Sequence, residues 1–379
     1  MYRKYKPTHI FNGTQLLPEG QVLICLEDGT IEQVLPLAEA GDDVQEIAGI
    51  LSPGFINAHC HTELSHFKRM IPEHTGLVNF VQQVMSRRNE KPAAEKQSAM
   101  EAAVQEMYDS GIVAVGDICN TTDSIPVKQN GLLYWQNFIE VSGFVDAGAN
   151  KRWNDIQLIL EEFRTALPSS SSIPVPHAPY SVSRTLFELI NSATAGQLIS
   201  IHNQETAAEN ELYQHKSGDF LTLYKNFGID ISSFVPTGRS SLQSWLPYFD
   251  SLQQIISVHN SFTGEADIAF AKNRLSYCIC INANLYIENV LPPVELLLKN
   301  GCHIVLGTDS YASNHQLSIM AEINSIQKSF PGIAIETMLQ WATINGAKTL
   351  GIDDRYGSFE PGKKPGLVLI NNGEAKRWL

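Results

Sequence analysis

From residue 51 onward, short apolar runs alternate with longer stretches of helical periodicity, and no other feature constrains the fold as tightly. Parallel neighbouring strands need a crossover long enough to hold a helix, so repeated alternation of this kind predicts a parallel sheet. The candidate strands are 51–57, 112–117, 132–141, 173–177, 198–203, 255–260, 275–282 and 303–309. Helical segments such as 94–109, 183–193 and 293–299 fall between them, and 317–330 and 333–350 follow the last. Eight parallel strands with intervening helices predict an α/β fold, a (β/α)8 TIM-type barrel.

Residues before 51 read differently. Thr8–Phe11, Gln21–Leu26 and Ile31–Leu35 are short β-like runs, and Glu27-Asp-Gly-Thr30 is a turn between the last two. A final run, Leu367–Ile370, has no partner among the eight. It is expected to join the N-terminal strands in a small β-sandwich built from both termini. The expected division is therefore 1–50 and 357–379 for the small β domain and 51–356 for the barrel. No repeat of 20–50 residues and no low-complexity tract is present.

The candidate strands end in polar or titratable groups: His59 and His61, Asp117, Glu140, His177, His202, His259, Asn282 and Asn284, and Asp309. In such a barrel the active site is assembled from the C-terminal ends of the strands. Five of the eleven histidines fall there. His9, His66, His74, His215, His303 and His315 do not, and stay outside the expected site. His59 and His61 are two apart, so on an extended strand both imidazoles point the same way and can share one ion. Cys60, between them, faces the opposite way and is expected to pack.

Composition narrows the function classes. Hydrophobic residues make up 43% and charged residues 18% of 379, enough apolar material for a large core. The net charge of −13 argues against general affinity for nucleic acid or anionic membranes. No apolar run approaches the roughly 20 residues needed to cross a bilayer, and the basic start lacks the apolar segment of a signal peptide. The six cysteines form no C-x-x-C, which suits reduced thiols and an expected cytosolic location. The expected partner is a small-molecule substrate, and assembly into a homo-oligomer is compatible with the sequence.

A hydrolytic metal site needs three or four protein ligands and an open position for water. His59, His61, His202 and Asp309 would supply three nitrogens and one oxygen to one divalent ion; this donor set suits Zn2+, and also Fe2+ or Mn2+. Glu205 lies three residues beyond His202, where a carboxylate could move a proton between water and a leaving nitrogen. An acidic residue in the first turn of a helix is also favoured by the helix dipole alone. His259 could hydrogen-bond the attacking oxygen or the developing tetrahedral centre.

Together, Pro53-Gly-Phe-Ile-Asn-Ala-His-Cys-His61, His177-Ala-Pro-Tyr-Ser181, His202-x-x-Glu205, Val258-His-Asn260, Gly307-Thr-Asp-Ser310 and Gly357-Ser-Phe-Glu-Pro-Gly-Lys363 resemble the amidohydrolase superfamily. Within it they are most similar to the branch of cytosine deaminase-like, chlorohydrolase and S-adenosylhomocysteine deaminase enzymes. The resemblance implies one metal on His59, His61, His202 and Asp309, with Glu205 as proton shuttle, His259 polarising water or substrate, and His177 touching substrate. Binuclear relatives carry a modified lysine at the fourth strand's end; here that strand ends Pro176-His177, which favours a single ion. Two motifs depart from the family: Cys280-Ile-Asn-Ala-Asn284 stands where C-P-x-S-N is usual, and Pro365-Gly-Leu367 where A-D-L is usual.

For the substrate, Glu63 could accept sugar hydroxyls and Arg239 could pair with an anionic tail. Trp135, Trp245 and Tyr180 could stack on a ring. These features favour an aminated, purine- or nucleoside-like heterocycle, with aminodeoxyfutalosine or an adenosine derivative as candidates, and ammonia as product. Hydrolysis of an amide, guanidine or carbon–halogen bond is the alternative reaction at the same site. A barrel serving only as a non-catalytic scaffold is the remote third.

Overall fold

The computed structural model describes residues 1–379, and its apolar runs form strands where the alternation predicts them. The first four strands are β1 (Tyr2–Ile10), β2 (Gln21–Leu26), β3 (Ile31–Pro36) and β4 (Gln45–Pro53). The next eight are β5 (Phe55–Cys60), β6 (Ile112–Cys119), β7 (Tyr134–Val141), β8 (Ser171–Pro176), β9 (Leu198–Asn203), β10 (Gln254–His259), β11 (Leu275–Ile279) and β12 (His303–Leu306). β13 (Leu367–Asn371) and β14 (Glu374–Arg377) close the chain.

β5 to β8 form one four-stranded parallel sheet in sequence order, and β9 to β12 form another. Every residue of β5 and β6 is buried, as expected of parallel strands covered on both faces. The two sheets touch at both ends. The His202 amide donates to the His177 carbonyl at 3.0 Å, and the Thr308 and Asp309 amides both donate to the His59 carbonyl at 3.1 Å. The fold is thus mixed α/β with parallel sheets and helices between the strands. No helix is long and apolar enough to cross a membrane.

β13 pairs antiparallel with β4, and β1 to β4 with β13 and β14 make a single sheet in the order β14-β13-β4-β1-β2-β3. The expected sandwich is therefore one continuous sheet of six strands, its two terminal segments joined by backbone hydrogen bonds. The expected strand at 51–57 is in fact the end of β4 and the start of β5, broken at Gly54. A Cβ there would lie 2.3 Å from Val113 Cγ1 and 2.6 Å from the Pro365 carbonyl, so only glycine lets the chain pass at this corner. The expected strand 303–309 stops at Leu306, and the one at 275–282 stops at Ile279, after which a helix spans Ile281–Ile287. Asn282 and Asn284 are helical residues rather than a strand end.

A candidate metal centre and its cavity

The apolar packing of β5 carries His59 fully buried to the sheet's end, with His61 one residue beyond the strand. Their rings meet edge to face at 4.9 Å between centroids, the same-side arrangement expected from their spacing. β9 brings His202 to the same point, with 4.9 Å between its ring and that of His59. Nitrogens of His59, His61 and His202 all lie within 4.8 Å of one another. Asp309, just past β12, places Oδ1 3.5 Å from His59 Nε2 and 3.4 Å from His61 Nε2. Gly307 permits this approach, since a Cβ there would lie 2.9 Å from His59 Cβ and 2.8 Å from Cys278 Sγ.

The donor set fits a divalent metal on several independent grounds. Both ring nitrogens of His59 are buried without a hydrogen-bond partner, an arrangement costly unless something else satisfies them. His202 donates Nδ1–H to the His177 carbonyl at 2.7 Å, which leaves the Nε2 lone pair facing inward. His61 Nε2 stands 3.1 Å from that lone pair. Burial holds His61 and His202 well below the ordinary histidine value, so both are neutral, as ligands must be. Asp309 resists the same burial: the imidazoles of His59, His61 and His259 clustered around it hold its carboxyl well below the usual carboxylate range. Its second oxygen accepts a hydrogen bond from Ser313.

Glu205 and His259 stand beside this set, with Glu205 Oε1 3.6 Å from His259 Nε2. Burial, reinforced by the charge of Asp309, pushes the Glu205 carboxyl well above its ordinary value. Burial takes His259 down to about 4, leaving a neutral imidazole. The backbone here is strained: Gln204, His259, Asn260 and Asp309 all have left-handed φ, between +47° and +72°. Such conformations cost on the order of 1–3 kcal/mol each in residues other than glycine and cluster at functional sites. No sequence signal announces them.

His61, His177, His202, Glu205, His259 and Asp309 all face one cavity of about 750 Å³. Away from this polar end the same cavity has an apolar lobe walled by Phe80, Val84, Phe144, Leu223, Tyr224 and Phe227. His177 is oriented by a 2.6 Å contact between Nδ1 and Ser181 Oγ. Tyr180 lines the cavity, but Trp135 and Trp245 are buried in the main core and do not. Cys60 packs in that core too, facing away from the histidines.

Two expected substrate contacts are placed elsewhere. Arg239 is exposed on its loop and does not reach the cavity. Glu63 is 6% exposed and takes its bonds from the protein: Arg88 Nη2 at 2.9 Å and the amides of Asn120 and Thr121 at 3.2 and 3.0 Å. Its carboxylate is thus committed to a wall of the cavity rather than open to a ligand. Sequence reasoning left out the residues that form this wall, Arg88, Asn120 and Glu140. Glu140 carried the strand-end signal; Arg88, at the end of the helix Leu77–Arg87, carried none.

The Amidohydrolase family pattern matches residues 50–377. The chain is 27% identical over 341 residues to a 5-methylthioadenosine/S-adenosylhomocysteine deaminase of Thermodesulfovibrio yellowstonii, covering 85% of this chain and 72% of that one. It is 27% identical over 383 residues to a 5'-deoxyadenosine deaminase of Methanococcus maripaludis, covering 96% and 84%. Among solved structures it resembles Helicobacter pylori aminofutalosine deaminase bound to methylthio-coformycin, with a TM-score of 0.83, 21% identity, and coverage of 98% and 93%. With the family pattern spanning both parallel sheets and every residue of the donor set, this chain belongs to the amidohydrolase family.

Proposed function

We propose that the protein is a metal-dependent hydrolytic deaminase releasing ammonia from an aminated purine nucleoside with an apolar substituent. The carrying observation is Glu205 beside His259, next to a donor set of three histidines and one aspartate, at the polar end of one cavity. The apolar lobe supports a substituent larger than a bare base. The names of the similar proteins, deaminases of methylthioadenosine, deoxyadenosine and aminofutalosine, point the same way. Aminodeoxyfutalosine and adenosine derivatives are the candidate substrates.

Under this reading the two parallel sheets are halves of one (β/α)8 barrel, and the six-stranded sheet is a separate small domain. Because β4 runs to Pro53, its boundary falls at Gly54 rather than at residue 50. His59, His61, His202 and Asp309 would hold one divalent ion, zinc by preference for this donor set. A divalent ion bound there supplies hydroxide from water near neutral pH. Asp309 accepts a hydrogen bond from the attacking water, and His259 steadies the oxygen as it adds to the amino-bearing ring carbon. Glu205 takes up the proton that the water gives up and delivers it to the departing nitrogen; the tetrahedral centre collapses, the carbon–nitrogen bond breaks, and ammonia leaves with the oxygen in its place. His177 contacts the substrate from the side of β8.

The test is ammonia release by zinc-replete protein from aminated purines, 5'-substituted adenosines, pyrimidines and guanidino compounds. Release confined to the substituted adenosines is the expected result. Silence across the panel from protein with metal bound would overturn deamination and transfer the site to amide or carbon–halogen hydrolysis.

A further inference from the structure

Glu140 closes β7 on the cavity wall and is 8% exposed, yet its bonding is incomplete. Oε1 accepts a hydrogen bond from Asn120 Nδ2 at 2.7 Å, while Oε2 is buried with no partner. A buried acceptor left unsatisfied is destabilising, so an orphan at a cavity wall points to a ligand that completes it. The near protein donor is unavailable. His202 Nδ1 lies 3.9 Å from Oε2, but its proton is given to the His177 carbonyl at 2.7 Å.

Donor atoms of Glu140, His177 and His202 lie within 4.8 Å of one another. With His202 committed on both nitrogens, to the His177 carbonyl and to the metal set, only Glu140 and His177 are left. Two donors are too few for a second metal, but they suit a single hydroxyl group that donates to the carboxylate beside the imidazole. We infer that Glu140 is the hydroxyl acceptor of the substrate site and selects a ribosyl substrate over its deoxygenated or free-base counterpart. This rests on the deaminase reading and assigns to Glu140 the sugar contact that the sequence suggested for Glu63.

The hydrogen-bonded chain beside it explains how the carboxylate is held. Arg88 Nη2 bridges Glu63 Oε2 at 2.9 Å and Asn120 Oδ1 at 3.1 Å. Asn120 accepts through its oxygen and donates through its nitrogen, so its amide cannot turn over without breaking both bonds. Glu63, Arg88 and Asn120 are therefore positioning residues, and Glu140 alone presents a free oxygen.

The experiment compares a 5'-substituted adenosine with its 2',3'-dideoxy analogue on wild type, Glu140→Gln and Asn120→Ala, all zinc-replete. Glu140→Gln keeps an oxygen for Asn120 and puts an amide N–H2 where the acceptor stood. Wild type should favour the hydroxylated compound, and Glu140→Gln should lose about 10- to 100-fold in kcat/KM on it, mainly through KM. The dideoxy analogue should be turned over equally by both, with zinc content unchanged. Asn120→Ala should move the same preference by less. Equal losses on both compounds, or none, would overturn the assignment. If wild type releases no ammonia from either compound, the deaminase reading fails separately. Calorimetric binding of the same pair then decides on Glu140: a preference lost in Glu140→Gln supports it, and an unchanged preference refutes it.

Discussion

Asp117 and Lys128 form an ion pair of 2.6 Å in which neither side chain is exposed at all. The pair sits behind the metal centre: Asp117 Oδ1 accepts the Thr62 amide at 2.8 Å, one residue past His61. Lys128 also donates to Asn137 Oδ1 at 2.9 Å and to Cys119 Sγ at 3.1 Å. Burial disfavours its ammonium, but the Asp117 carboxylate outweighs that and raises its pKa above the ordinary lysine value. Asp117→Ala leaves a buried ammonium with only neutral partners, a change that costs about 3–5 kcal/mol where such pairs have been broken. That is a large share of the roughly 5–15 kcal/mol that holds a typical fold. Replacing both residues by apolar ones, Asp117→Leu with Lys128→Met, removes the stranded charge. The unpaired Thr62 amide and the Asn137 oxygen that loses Lys128 then remain, about 1–3 kcal/mol each. The assay is urea denaturation of zinc-replete protein, with zinc affinity measured in parallel. Asp117→Ala should also weaken zinc binding, because the turn after His61 loses its anchor. Lys128→Met alone should destabilise the fold yet spare zinc, because Thr62 keeps its acceptor. A cost below 1 kcal/mol for Asp117→Ala, or equal loss of zinc affinity in the two single variants, would refute this account.

Glu205→Gln should retain zinc and lose about 10²- to 10⁴-fold in kcat, measured as ammonia release; undiminished turnover removes Glu205 from proton transfer. His202→Ala should lose zinc by elemental analysis, and full occupancy would take it off the ligand set. Gly307→Ala presses a methyl into His59 Cβ and should cost about 1–3 kcal/mol in denaturation while weakening zinc; a wild-type affinity would mean that β5 can give way. Glu209 is buried, its Oε1 accepting from the Gln204 amide at 2.9 Å and its Oε2 unpartnered. Burial raises it from 4.5 to about 7. Its raised folded pKa makes the unfolded chain bind fewer protons between those values, so stability is full below pH 4.5 and falls as pH rises to about 7. The loss is about 3 kcal/mol, and Glu209→Gln should flatten that slope in denaturation series; an unchanged slope would assign it to other groups.

Much of this was readable because parallel strands buried on both faces leave a plain apolar signature. Strands β2 and β9 lie on their expected residues, and the four donors share a signal, a polar group where an apolar run stops. The misses have physical causes. Helix Ile281–Ile287 begins with the apolar Ile281 directly after β11, so periodicity could not tell strand from helix there. Glu63 looked like a free carboxylate because Arg88 and the amides of Asn120 and Thr121 reach it only after folding. Its neighbour in space, Glu140, is separated from it by most of two βα units. That β13 joins the N-terminal strands follows from its lack of a partner elsewhere, though not that β4 is its neighbour, whereas β14 has four residues and no buried face to announce it.

The two four-stranded sheets are hydrogen-bonded to each other at their edges, and the donor set is divided between them. His59 and His61 come from the first sheet, His202 from the second, and Asp309 from the segment that ties the second sheet's last strand back to His59. Neither half alone holds more than part of the set, so an ion binds strongly only once both halves have docked. A divalent ion held there would be a rivet across the two seams, adding RT ln(1 + [M]/Kd) to the assembled state alone. Chelation should therefore speed the parting of the halves more than it slows their separate formation, and metal uptake would time the last step of folding.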